Sequence, residues 1–136
     1  MRKGFTLIEL LVVITIIGIL MGLLLVSYQG TRKSARDGRR KADLEQIRGA
    51  LEMCRSDTGS YPASLTFTGN CLSYLPSVPA DPLASVYSYQ FNRIDANTYV
   101  LCAYLEGETT ITGTCPSANC NGNCGTVACN YKTCNP

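Results

Sequence analysis

Between residues 5 and 26 the chain is apolar and carries one ionisable side chain, Glu9. An unbroken run of this kind predicts a helix able to cross a bilayer, since ~20 residues rising ~1.5 Å each cover a ~30 Å hydrocarbon core. An acid inside such a run costs roughly 2.5–3.5 kcal/mol on insertion scales, so Glu9 requires a partner. The segment itself offers none, which points to another group and to another chain. Further on the pattern changes. Leu44, Ile47, Leu51 and Cys54 recur at spacings of three and four, which is one face of an amphipathic helix. Glu45, Arg48, Glu52 and Arg55 take the other faces, and Thr58-Gly59-Ser60-Tyr61-Pro62 ends the element, because glycine and proline punctuate helices. One long helix is therefore expected from about residue 5 to 57.

Residues 58–85 read as a loop region punctuated by Pro62, Gly69, Pro76, Pro79 and Pro82, with Cys71 as its tether. Tyr87, Tyr89 and Phe91 then alternate within 86–91, the mark of a strand face. Residues 92–97 are turn-like. A second strand is expected over 98–105, with Tyr99, Leu101, Ala103 and Leu105 on one side. The product is an antiparallel hairpin laid on Leu44, Ile47 and Leu51. The fold class is α+β: a long N-terminal helix, half membrane or filament core and half amphipathic, packed on a small antiparallel β-sheet, with a cysteine-rich C-terminal tail. Five parts follow: a leader at 1–4, a transmembrane or assembly helix at 5–30, an amphipathic helix half at 31–57, a globular head at 58–106 and a disulfide-rich tail at 107–136.

Composition narrows the function. The 136 residues suit one small domain plus its helix. Twelve basic residues face ten acidic ones, and removing Arg2 and Lys3 makes the two equal. There is no histidine, so the commonest general base and metal ligand is missing. No catalytic residue, cofactor or metal site is expected. Cys54, Cys71, Cys102, Cys115, Cys120, Cys124, Cys129 and Cys134 are disulfide candidates, since a small exported domain with few apolar residues needs such staples. The five tail cysteines show no C-x-x-C spacing of the kind zinc sites favour. The tail has no Asp or Glu after Glu108, so no acidic calcium loop is expected there.

A cleaved secretory signal also begins with basic residues and an apolar stretch, but its apolar region is ~7–15 residues long. An ordinary anchor explains the length and leaves Glu9 and the Gly4-Phe5 junction unexplained. The stretch Lys3-Gly4-Phe5-Thr6-Leu7-Ile8-Glu9, followed by the apolar helix, resembles the N-terminus of type IV pilins and pseudopilins. The junction at 50–62, ending Asp57-x-Gly59-x-Tyr61-Pro62, is also similar to that family. The resemblance implies cleavage after Gly4 by a prepilin peptidase and N-methylation of the new first residue, Phe5. It further implies that Glu9 meets the Phe5 amine of a neighbouring subunit. A free α-amine titrates near ~8 and is largely charged at neutral pH, and an amine and a carboxylate buried together offset each other's desolvation. Assembly is thus expected to involve Phe5, Glu9, Gly18 and Gly22, the two glycines four apart allowing close helix approach in lipid. Many family members carry a proline where this chain has Val26, which leaves open how the helix behaves there on assembly.

The expected function is a structural subunit of a type IV pilus-like filament, not an enzyme. Alternatives are a pseudopilin of a type II secretion system, or a membrane-anchored cysteine-rich binding domain that does not polymerise. Expected partners are further copies of the chain in a helical filament, the prepilin peptidase, an inner-membrane assembly platform, and membrane lipid before assembly. Arg32, Lys33, Arg36, Arg39, Arg40 and Lys41 form a basic cluster. By charge alone it argues for a cytoplasmic head, whereas the cysteines and the resemblance place the head outside and the N-terminus in the cytoplasm. The cluster reads as a solvated face meeting lipid headgroups. DNA is a weaker reading, since no aromatic is interleaved with the charges.

Overall fold

The computed structural model describes residues 4–65, 71, 73–113, 115, 120 and 122–135, with the side chains at 24–27 outside that description. Arg2, Lys3, Gly69 and the side chain of Val26 therefore lie outside the described residues. Contacts divide the chain into two units, Met1–Ser34 and Ala35–Pro136. Helix α1 (Leu7–Thr58) begins in the first and ends in the second. Its first stretch is apolar on all sides, and its side chains from Phe5 to Leu23 are exposed. Among the described residues no single helix is long and apolar enough to cross a membrane. The pieces Leu7–Leu23 and Tyr28–Thr58 meet that requirement together by length and composition.

Helix α1 stops where the glycine signal lies. Gly59 sits at φ 79°, a left-handed conformation that glycine adopts without a Cβ penalty. Its N–H donates to the Arg55 carbonyl at 2.7 Å, and the Thr58 hydroxyl donates to the Cys54 carbonyl at 2.8 Å. These bonds satisfy carbonyls that the last turn leaves without partners.

The second unit is a sheet covered on both faces. Its strands are β1 (Gln90–Arg93), β2 (Tyr99–Ala103), β3 (Thr112–Gly113) and β4 (Tyr131–Cys134), in the order β1-β2-β4-β3. Antiparallel pairing aligns Phe91 with Leu101 and Leu101 with Thr133. The short β3 joins β4 in parallel, so the sheet is mixed rather than purely antiparallel. Alternation of side chains along β2 sends Tyr99, Leu101 and Ala103 into one cluster with Leu44, Ile47 and Leu51 of the helix. Val100 and Cys102 point the other way, into a cluster with Cys115, Cys124 and Cys129. Hence all five residues of β2 are buried.

Three expectations are corrected. The first strand is shorter than the aromatic alternation implied: β1 starts at Gln90, and Tyr87 and Tyr89 precede it. Beyond β2 the backbone N–H groups bond to side chains. Asn130 Oδ1 accepts from Leu105 N at 2.6 Å, and the Asp37 carboxylate accepts from Glu106 N and Gly107 N at 2.9 and 2.8 Å. The turn also shifts, with Ile94 N and Asp95 N both donating to the Thr98 carbonyl at 2.9 and 3.2 Å. Finally, the segment after Gly107 is no appendage. It supplies β4, the strand next to β2, and a cystine-rich layer over the outer sheet face. Gly125 is required there: at φ 86°, a Cβ would lie 2.0 Å from the Val86 carbonyl oxygen.

Candidate functional site

The N-terminal segment is built around Thr6 and Glu9. Thr6 caps α1, its hydroxyl accepting from Glu9 N at 3.4 Å. The Glu9 carboxylate reaches back to accept from Thr6 N at 2.9 Å and from the Thr6 hydroxyl at 2.7 Å. This is a reciprocal capping box, and it satisfies donors that the first turn leaves free. The sequence signal for it, Thr-x-x-Glu ahead of an apolar run, was legible at 6–9 but was not part of the expectation. Glu9 therefore has a local task as part of the helix cap. Among the described residues it has hydrogen bonds and no ion-pair partner.

Phe5, Ile8, Glu9, Val12 and Val13 line a shallow apolar groove. Phe5 is 79% exposed and Leu7 82%. Nothing lies within 4 Å of where a Cβ would stand on Gly4, Gly18 or Gly22. Gly18 and Gly22 thus leave open space on the helix surface, and Gly4 precedes the helix.

In the second unit the expected basic cluster resolves differently. Arg40 is fully buried rather than solvated. Its Nε and Nη2 donate to the two Asp81 oxygens at 2.7 and 3.0 Å. Its Nη1 donates to Asp37 at 2.8 Å and to Glu106 at 2.9 Å. Arg36 donates twice to Glu106, at 2.7 and 2.5 Å. Hydrogen bonds from Arg36, opposed by burial and reinforced by Arg40, hold the Glu106 carboxyl down to about 2. Burial works against the Arg40 charge, and the bonds to Asp81, Glu106 and Asp37 outweigh it, so its pKa lies above the ordinary arginine value. Five charged residues from the helix, the loop and the segment after β2 are thereby joined. Only the Asp37–Arg40 spacing of three was visible along the chain.

Buried and half-buried tyrosines serve a similar end. Burial, then the Asp43 carboxylate that accepts from its hydroxyl at 2.7 Å, raises Tyr89 well above the usual phenol value. Glu52 accepts from both Tyr61 and Tyr99, at 2.9 and 3.2 Å. These contacts tie loop and strand to the helix and present no reactive group in a cleft. Among the described residues no group of three His, Cys, Asp or Glu side chains has an arrangement that holds a metal ion.

All eight cysteines are paired. Cys54–Cys71 ties the end of α1 to the following loop. Cys102–Cys120 ties β2 to the tail, and Cys115–Cys134 closes over β4. Cys124–Cys129 closes a short loop around the Asn123–Ala128 bridge.

Residues 1–25 match the family model described as the prokaryotic N-terminal methylation motif. The chain is 38% identical over 110 residues to the type IV wide pilus major component of Thermus thermophilus, covering 79% of this chain and 76% of that protein. It is 37% identical over 87 residues to the type II secretion system core protein G of Klebsiella pneumoniae, covering 63% of this chain and 59% of that one. It is 32% identical over 103 residues to the core protein G of Pseudomonas aeruginosa, covering 65% and 72%. No solved structure matches significantly.

Proposed function

The chain belongs to the type IV pilin and pseudopilin family, and on that premise we propose that it is a structural subunit of a type IV pilus-like filament. In this reading a prepilin peptidase cuts between Gly4 and Phe5, Phe5 is N-methylated, and the subunit waits in the inner membrane with its head outside. An assembly platform then moves it into a helical filament of its own copies. The observation that carries the reading is Glu9: an acid at the head of an apolar helix, bonded only to Thr6 within the described residues. A neighbour's charged amine supplies the missing counter-charge. Phe5, Leu7 and Ile8, exposed on the same segment, bring apolar surface that packs only when other helices surround it. Gly18 and Gly22 allow those helices to approach closely.

The use of the filament has two readings, and the relatives divide between them. Likeness to the Thermus pilus component reaches 38% identity over 79% of the chain, and a head closed by four disulfides suits exposure outside the cell. That favours a surface pilus. Likeness to the core proteins G supports a short pseudopilus in type II secretion. Mass spectrometry of mature protein from its native membrane tests the shared premise: the chain is expected to begin at N-methyl-Phe5. Surface material that still carries Met1 would refute it. Electron microscopy with a labelled head then separates long surface fibres from short periplasmic ones.

A further inference from the structure

The pairing of the tail cysteines is crossed. Cys102 bonds Cys120 and Cys115 bonds Cys134, so each bridge encloses one end of the other. The sequence separations are 18 and 19, against 5 for Cys124–Cys129. Export exposes cysteines in chain order, and contacts that specify the crossed pairs come last. Cys134 is the final residue of β4, and it takes its place only when β4 pairs with β2, Val100 opposite Cys134. Until then Cys102, Cys115 and Cys120 are outside with no template. Closing a shorter loop is entropically easier, with probability falling roughly as the −3/2 power of length. Neighbour bridges such as Cys102–Cys115 and Cys120–Cys134, or Cys115–Cys120, therefore form first.

We infer that maturation of the head includes an isomerisation step, and that the chain is a substrate of a thiol–disulfide isomerase in the compartment where the head folds. The inference rests on the exported reading above only for that compartment. The exchange needs no net oxidant. A catalyst thiolate attacks the Cys115 sulfur of a Cys102–Cys115 bridge, forming a mixed disulfide and releasing the Cys102 thiolate. That thiolate attacks Cys120 of the Cys120–Cys134 bridge, closing Cys102–Cys120 and releasing Cys134. Cys134 attacks Cys115 in the mixed disulfide, closing Cys115–Cys134 and returning the catalyst thiolate. In the native set Cys102 is wholly buried and Cys115 nearly so, while Cys120 and Cys134 are partly buried. Attack on the buried sulfur of each crossed bridge is hindered, so the crossed pairs accumulate.

The test is disulfide mapping of the full chain exported in cells with and without their disulfide isomerase, by partial reduction, differential alkylation and tandem mass spectrometry. With isomerase, Cys102–Cys120 and Cys115–Cys134 are expected in nearly all molecules. Without it, several-fold more of the neighbour-bridged forms is expected, and Cys54–Cys71 is expected unchanged. A second measurement does not depend on yield: a purified isomerase added to reduced chain in a glutathione buffer should speed appearance of the crossed pairs, and a variant isomerase lacking its resolving cysteine should be trapped on the chain. Equal native pairing in both strains, with no rate effect and no trapped adduct, would overturn the inference and leave the filament reading intact. Free thiols in the mature head would overturn the inference together with the placement of the head in an oxidising compartment.

Discussion

Residues 7–23 and residues 44–54 lie on one helix, and both are rich in leucine and isoleucine. The large apolar side chains of the first stretch are 46–82% exposed, whereas Leu44, Ile47 and Leu51 are completely buried. The difference lies in how the apolar positions are distributed. In the second stretch they return every three or four residues and form one stripe, which a single sheet face covers. In the first they occupy every side, and no single element of a small domain can surround a helix. Each such side chain left in water forgoes roughly 1.5–3 kcal/mol relative to burial. The first stretch therefore depends on lipid or on other helices, and the second is satisfied by its own chain. Charge follows the same division. Glu9 has only hydrogen-bond donors within the described residues, while the acids around Arg40 are paired inside the head.

The largest effect that can break this comparison is expected at Glu9. Glu9→Gln keeps the cap, because glutamine serves in the same box, and removes the charge. Insertion and cleavage should persist, while filament yield in sheared preparations falls ~10-fold or more. Normal yield would show that assembly does not use the charge. Next is Arg40→Met. It leaves Asp81 and Glu106 without their buried cation and should cost about 3–5 kcal/mol, read as a lower denaturation midpoint of the oxidised protein. A loss below about 1 kcal/mol would mean that water reaches the cluster. The double change Cys54→Ser with Cys71→Ser opens a bridge of sequence separation 17. In the chain-entropy model it should cost roughly 3 kcal/mol, while circular dichroism still reports the helix.

Acid should weaken the head and spare the apolar stretch. Glu106 is held at about 2, against an ordinary value of 4.5. Its lowered pKa contributes stability that is fully present above the unfolded value and is lost as pH falls through the folded one. The loss should reach roughly 1 kcal/mol by pH 3.5 and about 3 kcal/mol near pH 1. Denaturation midpoints measured from pH 6 downward check this, and Glu106→Gln should flatten that limb. The smallest effect is expected at the exposed pair Glu45–Arg48, 3.0 Å apart. Glu45→Ala should change stability by no more than about 0.5 kcal/mol.

Much of the helix was legible because its signals are local. The spacing of Leu44, Ile47, Leu51 and Cys54 depends only on helical geometry, and Gly59 ends the helix through its own backbone freedom. The N-terminal segment was legible for a similar reason, its residues being adjacent in the chain, although the Thr6–Glu9 cap was overlooked. The reach of β1 was not legible. Tyr87 and Tyr89 alternate like strand residues, yet one ring stacks on Tyr104 at 4.9 Å and the other hydroxyl binds Asp43. Both are held by residues outside their own segment, which the local alternation does not reveal.

By itself the sequence determined which stretches are helical, which helix face meets the head and which stretch is apolar on every side. It also determined that a small domain with eight cysteines is stapled by disulfides. Only the tertiary structure decided that the tail enters the sheet as β4, that Cys102 crosses to Cys120 and Cys115 to Cys134, and that Arg40 is buried among three acids. The physical reason is range. Periodicity, caps and turns are set by neighbours within a few residues, whereas strand order, cystine pairing and a buried ion cluster join groups whose separations run to 66 and 70 residues for Arg40 and Arg36 with Glu106. Those groups become neighbours only after the chain has folded.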